Sequence, residues 1–268
     1  MHPIERLRYV ARVDGADPGL IAGEAASALG EVAVTDVGGL VPGCRRLIDR
    51  HPTNGPLWWL SARLLTAAEP ADAAREAAAA LAHDPTDRRL AEALPEETSV
   101  LAVGWPDIVA ETLRRRGDLE ILLLDSGGDG SSLARRLLAD DATVSVIPDT
   151  GAGSAATVAG VVVVEALAAG PGGLLAAPGS HAAAAVAHHA GVPVWAVAGV
   201  GRVLPEALWN ALLAAVDGSG LEPWDRAAEL VPATLVDAVV GPDGPAETST
   251  GLAAATCPVA PELLRRIA

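Results

Sequence analysis

Five short apolar runs, each followed by a stretch that reads as helix or by a small-residue loop, constrain this chain more than any other feature. They are SVLAVGW (Ser99–Trp105), LEILLLDS (Leu119–Ser126), ATVSVIPD (Ala142–Asp149), GVVVVEAL (Gly160–Leu167) and VPVWAVAG (Val192–Gly199). Their length suits a strand, and their β-branched content favours one. Runs that are apolar throughout, rather than alternating, have both faces buried. That pattern predicts parallel strands covered by helices on either side. The crossovers are expected to be right-handed, and ligands in such sheets gather beyond the carboxyl ends of the strands. Here those ends are Gly104-Trp105, Asp125-Ser126, Pro148-Asp149-Thr150 and Glu165-Ala166.

Residues 1 to 95 carry a different pattern. Ala-rich segments at helical spacing recur at Leu20–Ala33, around Cys44–His51, at Leu57–Ala68 and at Ala71–His83, where Asp84-Pro85 stops the last of them. No strand-like run interrupts them. Pro95 to Thr98 reads as a joint. The expected fold class is therefore α/β, with a helical N-terminal domain (1–95) and a doubly wound, mostly parallel Rossmann-like sheet (96–268).

Charge and composition narrow the function classes. With 34 acidic against 19 basic residues the formal net charge is -15, which repels a phosphodiester backbone and argues against a nucleic-acid platform. The tight basic run Arg114-Arg115-Arg116 closes an expected helix, where cations offset the negative end of the dipole. The two cysteines, Cys44 and Cys257, lie far apart, each alone in its neighbourhood, and are expected to make neither a disulfide framework nor a metal cluster. The most apolar stretch, Val158 to Gly201, is broken by Glu165, Pro171, Pro178, His181 and Pro193, so no membrane span is expected. The reading is a cytoplasmic protein with no metal and no cofactor.

The strand ends and the loops after them supply the candidate site. Asp125, Asp149 and Glu165 are the candidate acids or bases, with Asp129 and His181 beside them. Gly104, Ser126, Gly127, Gly128, Asp129, Ser131, Asp149, Thr150 and Ser180 are the candidate ligand-binding residues. GGDGSS (Gly127–Ser132) and APGS (Ala177–Ser180) each precede or open an expected helix, so their serines either cap it or help hold an anion there. Neither matches a Walker loop or a G-x-G-x-x-G fingerprint. His188-His189 lies late in an Ala-rich helix, where imidazole suits the helix dipole, and no third metal ligand accompanies the pair.

Taken in order, these segments resemble the alpha, beta and delta subunits of translation initiation factor 2B and their enzymatic relatives, methylthioribose-1-phosphate isomerase and ribose-1,5-bisphosphate isomerase. The resemblance rests on Asp49–Leu65, Val100–Arg116, LLLDSGGDGSSLARRL, VSVIPDTGAGSAATVAGVVVVEA and LVPATLVDAVVGPDG (Leu230–Gly244). The isomerases pair a catalytic cysteine with an aspartate. The resemblance puts the cysteine position on Gly104 and the aspartate position on Ala166. It also puts a substrate-positioning Asn-Lys pair on Ala176-Ala177, loses a phosphate-binding arginine between Ser126 and Gly127, and loosely aligns another with Asp14. Asp149 is the polar position it keeps. It implies a homodimer and a pocket for a small phosphorylated metabolite or nucleotide. It also implies a protein without isomerase chemistry, serving as a ligand-binding, regulatory or assembly module. The alternative is an aldose–ketose isomerase-like enzyme with an altered site.

Overall fold

The computed structural model describes residues 17–264, so Asp14 lies outside the described residues. Five helices come first: α1 (Pro18–Thr35), α2 (Leu40–Arg50), α3 (Gly55–Thr66), α4 (Pro70–Ala82) and α5 (Thr86–Ala93). Their starts follow local chemistry. Proline occupies the first or second position of α1, α3 and α4, where its missing N–H costs nothing. Asp17 Oδ1 accepts the Gly19 N–H at 2.6 Å, and Asn54 Oδ1 accepts the Leu57 N–H at 3.0 Å, so each caps its helix.

The second part alternates strand and helix as the five runs predict: β1 (Ser99–Val103), α6 (Asp107–Arg115), β2 (Glu120–Leu124), α7 (Asp129–Ala139), β3 (Thr143–Ile147), α8 (Ala152–Val158) and β4 (Val161–Glu165). After a hairpin of β5 (Ala168–Gly170) and β6 (Gly173–Ala176) come α9 (Ser180–Ala190), β7 (Val194–Val197), α10 (Glu206–Asp217), β8 (Glu229–Pro232), β9 (Ala238–Gly241), β10 (Gly244–Glu247), α11 (Thr248–Ala253) and α12 (Pro261–Leu264). The main sheet has seven strands in the order β10-β9-β7-β4-β1-β2-β3, parallel except for β10. Strands β1 to β3 run outward one way and β4, β7 and β9 the other, so the order reverses between β1 and β4.

Alternation along the strands divides the apolar side chains between two cores. Val100, Ala102, Ile121, Leu123, Val161 and Val163 face α5, α6 and α7, while Leu101, Val103, Leu122, Leu124, Val162 and Val164 face α8 and α9. A third core fills the helical part, and it is not closed by α1 to α4 alone. Leu204, Trp209 and Leu212, with Cys257 and Leu263 near the C-terminus, complete it.

The segment after Leu167, read from sequence as a small-residue loop of glycine and proline, forms a β-hairpin. Ala168 pairs with Leu175 and Gly170 with Gly173, and β8 extends this into a three-stranded antiparallel sheet. Gly173, at φ +145, has room for no side chain, because a Cβ would lie 2.3 Å from the Val231 carbonyl oxygen. The glycines that made the segment look like loop permit the close strand approach.

The His188-His189 pair sits in the last turn of α9, and Arg114 and Arg115 sit in the last turn of α6. The basic run is spent internally: Arg114 meets Asp140, Arg115 meets Asp87 and Arg116 meets Asp118. Among the described residues, no helix is long and apolar enough to cross a membrane, and no group of His, Cys, Asp and Glu is arranged to hold a metal ion.

Candidate functional site

The reversal point between β1 and β4 is where an open α/β sheet leaves a crevice at the carboxyl edge. A cleft of about 900 Å³ opens there, roofed by the helical part. Gly104, Trp105 and Asp107 follow β1, Ser126 and Asp129 follow β2, and Ala177 and Pro178 follow β6. Pro18, Ile21 and Asn54 come from the helical side. The basic side chains of the lining, Arg50, His51, Arg136 and Arg226, come from three distant parts of the chain. In a chain with almost two acidic residues for each basic one, this cleft gathers three arginines and a histidine against Asp107 and Asp129.

Of the residues singled out from sequence, Gly104, Ser126 and Asp129 line the cleft. Gly104 has φ +67, and a Cβ there would sit 3.6 Å from Ser126 Cβ and 3.7 Å from Ala177 Cβ. The position therefore faces the cleft while carrying no functional group. Ser126 Oγ donates to the Pro178 carbonyl at 2.9 Å, joining the loops after β2 and β6. Gly127 and Gly128 are exposed at the turn into α7 and take positive φ.

Several candidates are occupied elsewhere, for physical reasons. Asp149 and Thr150 are exposed in a short 3-10 turn beyond β3. That strand is the sheet's edge, two strands from β1, which puts them roughly 10 Å to one side of the reversal point. Asp125 caps α7: its carboxylate accepts the Ser131 N–H at 2.9 Å and the Ser131 hydroxyl at 2.7 Å. Those two bonds hold its pKa below the usual carboxylate range. Ser131 is thus the donor in this cap rather than the capping residue. Ser180 is buried at the head of α9 and makes no side-chain cap; Glu229 Oε1, from β8, instead accepts the His181 N–H at 2.7 Å.

Glu165 is the last residue of β4 and lies on the α6 side, with Val161 and Val163. Its carboxylate accepts the N–H groups of Asp107 (3.1 Å) and Val109 (2.9 Å) at the start of α6. It pairs with Arg202 Nη1 at 2.8 Å, the two side chains being 6% and 3% exposed. Burial still pushes its pKa up, against the pull of Arg202. Ala166, the next residue, is buried on the opposite face, as strand alternation requires. Three of the helices that open at this edge therefore begin against the protein's own carboxylates: α6 on Glu165, α7 on Asp125 and α9 on Glu229.

Sequence reasoning missed Asp107 and Arg202. Asp107 is the first residue of α6, and burial, then the charge of Glu165, raises its carboxyl from 3.8 to about 7. Arg202 also donates to the Ala166 carbonyl at 2.5 Å. Nothing local marked either residue, since their partners lie 58 and 37 positions away or nearly so in the chain. The cysteines are remote from this chemistry. Cys44 and Cys257 are buried in the helical core, and burial pushes both thiols up to about 12, where neither supplies a thiolate.

No family model and no curated protein sequence matches the chain. Solved structures do match. The Pyrococcus horikoshii translation initiation factor eIF-2B superposes with a TM-score of 0.72 at 17% identity, over 91% of this chain and 96% of that one. The eIF2B beta subunit of Chaetomium thermophilum gives 0.68 at 18% identity, over 96% and 92%. A chain of the tetrameric eIF2B-beta2-delta2 complex from the same organism gives 0.70 at 18%, over 93% and 92%. At these identities the likeness is one of fold: the chain has the initiation-factor-2B-like fold along nearly its whole length.

Proposed function

We propose that this chain is a non-catalytic ligand-binding protein of the initiation-factor-2B-like fold, with a regulatory or assembly role, whose cleft takes a small phosphorylated metabolite or nucleotide. One observation carries the proposal: the cleft is formed and lined with cations, while the positions that the resemblance assigns to thiol and carboxylate are Gly104 and Ala166. Interconverting an aldose phosphate and a ketose needs a group that moves a proton between C1 and C2 of the sugar. A hydrogen and a methyl group offer none, and the chain's two thiols are buried elsewhere. The arginine that the resemblance loses after Ser126 is offset by the lining arginines Arg50, Arg136 and Arg226, the last of which also pairs with Asp217 at 2.8 Å; guanidinium groups suit phosphate oxygens.

The second reading, an isomerase-like enzyme with an altered site, is favoured by the Asp107 carboxyl, which is raised to about 7, the range in which a general base works. Calorimetric titration with a panel of sugar phosphates and nucleotides, followed by product analysis, separates the two. The expected result is saturable binding with no turnover; turnover of any panel member rejects the non-catalytic reading.

We also infer a homodimer in the cytoplasm, in keeping with the resemblance; one structural neighbour is a tetrameric beta2-delta2 complex. Light scattering is expected to give twice the chain mass, and a monomer at micromolar concentration rejects it.

A further inference from the structure

Asp107 stands three residues beyond Gly104, at the gap between β1 and β4. It lines the main cleft and also a second groove of about 410 Å³, so it forms part of the wall between the two spaces. Its backbone N–H goes to Glu165, and Arg202 is committed to Glu165 and the Ala166 carbonyl. Among the described residues no hydrogen-bond donor reaches the Asp107 carboxylate.

The charges around it are unbalanced. Glu165 at the end of β4 and Asp17 before α1 repel its anion, while among the described residues Arg202 attracts it. On the groove side lie His83, Asp84, Asp87 and Arg88 near α5, with Glu111 and Arg115 from α6 itself. On the cleft side Asp129 stands against Arg50, His51, Arg136 and Arg226. With no protein donor among the described residues, and open to both spaces, this carboxylate is available to a donor from a ligand. The arginines draw the charged end of a ligand, which leaves its uncharged hydroxyls for Asp107.

We propose that Asp107 is the residue that reads the ligand in this cleft, by accepting a hydrogen bond from a hydroxyl group of a bound anion. The proposal rests on the ligand-binding function inferred above. No covalent bond changes; the only exchange is of a proton. At neutral pH part of the population carries a protonated Asp107, because its carboxyl titrates near 7. A hydroxyl that donates to the carboxylate selects the ionised form, so binding releases a fraction of a proton to solvent and tightens as pH rises.

The test is calorimetric titration of the wild type and Asp107→Asn with ribose 5-phosphate, and with sulfate as an anion that has no hydroxyl, at pH 6 and pH 8. The sugar phosphate itself titrates near 6, so its pH dependence is read as the difference between the two proteins. Asp107→Asn is expected to weaken ribose 5-phosphate about fivefold or more at pH 8, where the charge-assisted bond is lost, and to flatten the pH dependence. Sulfate affinity should stay within about twofold, since no donor to Asp107 is involved. Unchanged ribose 5-phosphate affinity, or an equal loss for both anions, overturns the role of Asp107. If sulfate binds and ribose 5-phosphate does not, that role is again overturned, while the anion cleft stands. If neither binds, the ligand-binding function falls, and this proposal with it.

Discussion

Replacing Arg202 by Met should cost about 3–5 kcal/mol of stability at pH 8, the penalty for leaving a buried carboxylate unpaired. Glu165 and Arg202 are 6% and 3% exposed, and they face each other at 2.8 Å. Methionine fills much of the arginine volume but leaves Glu165 with only the N–H groups of Asp107 and Val109. Glu165 already has its pKa raised by burial, and without the guanidinium it rises further. A raised carboxyl pKa in the folded state means that the folded variant binds a proton the unfolded chain has lost. Stability of Arg202→Met should therefore recover as pH falls, and the deficit at pH 5.5 should be visibly smaller than at pH 8.

Adding Glu165→Gln should restore most of the loss, since the neutral amide keeps an acceptor for the start of α6 and removes the buried charge. A residue of about 1–2 kcal/mol should remain, because the Ala166 carbonyl loses its 2.5 Å partner. Urea denaturation of the wild type, the single variants and the double variant at both pH values measures all of this. A double variant no more stable than Arg202→Met would show that the pair acts through packing rather than charge.

The second large effect has the opposite sign. Asp107→Asn should raise stability by about 2 kcal/mol at pH 8 and change it little near pH 4. The carboxyl is raised from 3.8 to about 7, by burial first and then by the charges of Glu165 and Asp17. Between those values the folded protein holds a proton that the unfolded chain does not, so this residue's contribution declines as pH rises from about 4 and is lost above 7. The whole shift is worth about 4 kcal/mol at 1.4 per unit, and partial solvent exposure with the favourable helix N-terminus reduces it by about half. Thermal unfolding across pH 4 to 8 reads the difference between the two proteins. The carboxylates whose pKa is lowered, Asp118 and Asp125, act alike in both and cancel. A variant less stable than the wild type at pH 8 would show that the ionised carboxyl has a donor and that its pKa is not raised. Since Asp107 and Glu165 are joined by a hydrogen bond, the two substitutions are not expected to add.

The five apolar runs became β1, β2, β3, β4 and β7, with ends within a few residues of those read from the sequence. Four of them were legible because a strand buried on both faces must be apolar throughout, and that needs no knowledge of distant partners. Strand β3, expected to be buried likewise, is an edge strand and largely exposed. The hairpin of β5 and β6 was not legible, because Gly170 and Gly173 signal loop locally and serve close packing only once Trp209 of α10 and strand β8 lie against them. The site was legible in part for the same reason. Gly104 and Ser126 follow from the strand ends and Asp129 from the loop after β2, whereas Asp149 lies to one side of the cleft because the strand order puts β3 at the edge.

Local sequence thus determined the main-sheet strands read as apolar runs and the edge at which a ligand could sit, since periodicity and strand ends are properties of neighbours in the chain. The tertiary structure decided which carboxylates are spent as caps, which one has no donor among the described residues, and which arginines reach the cleft. Those outcomes depend on groups brought together from far apart: Arg50 with Arg226, Asp107 with Glu165, and Glu165 with Arg202. Burial and charge are set by such neighbours, and no window along the chain contains them.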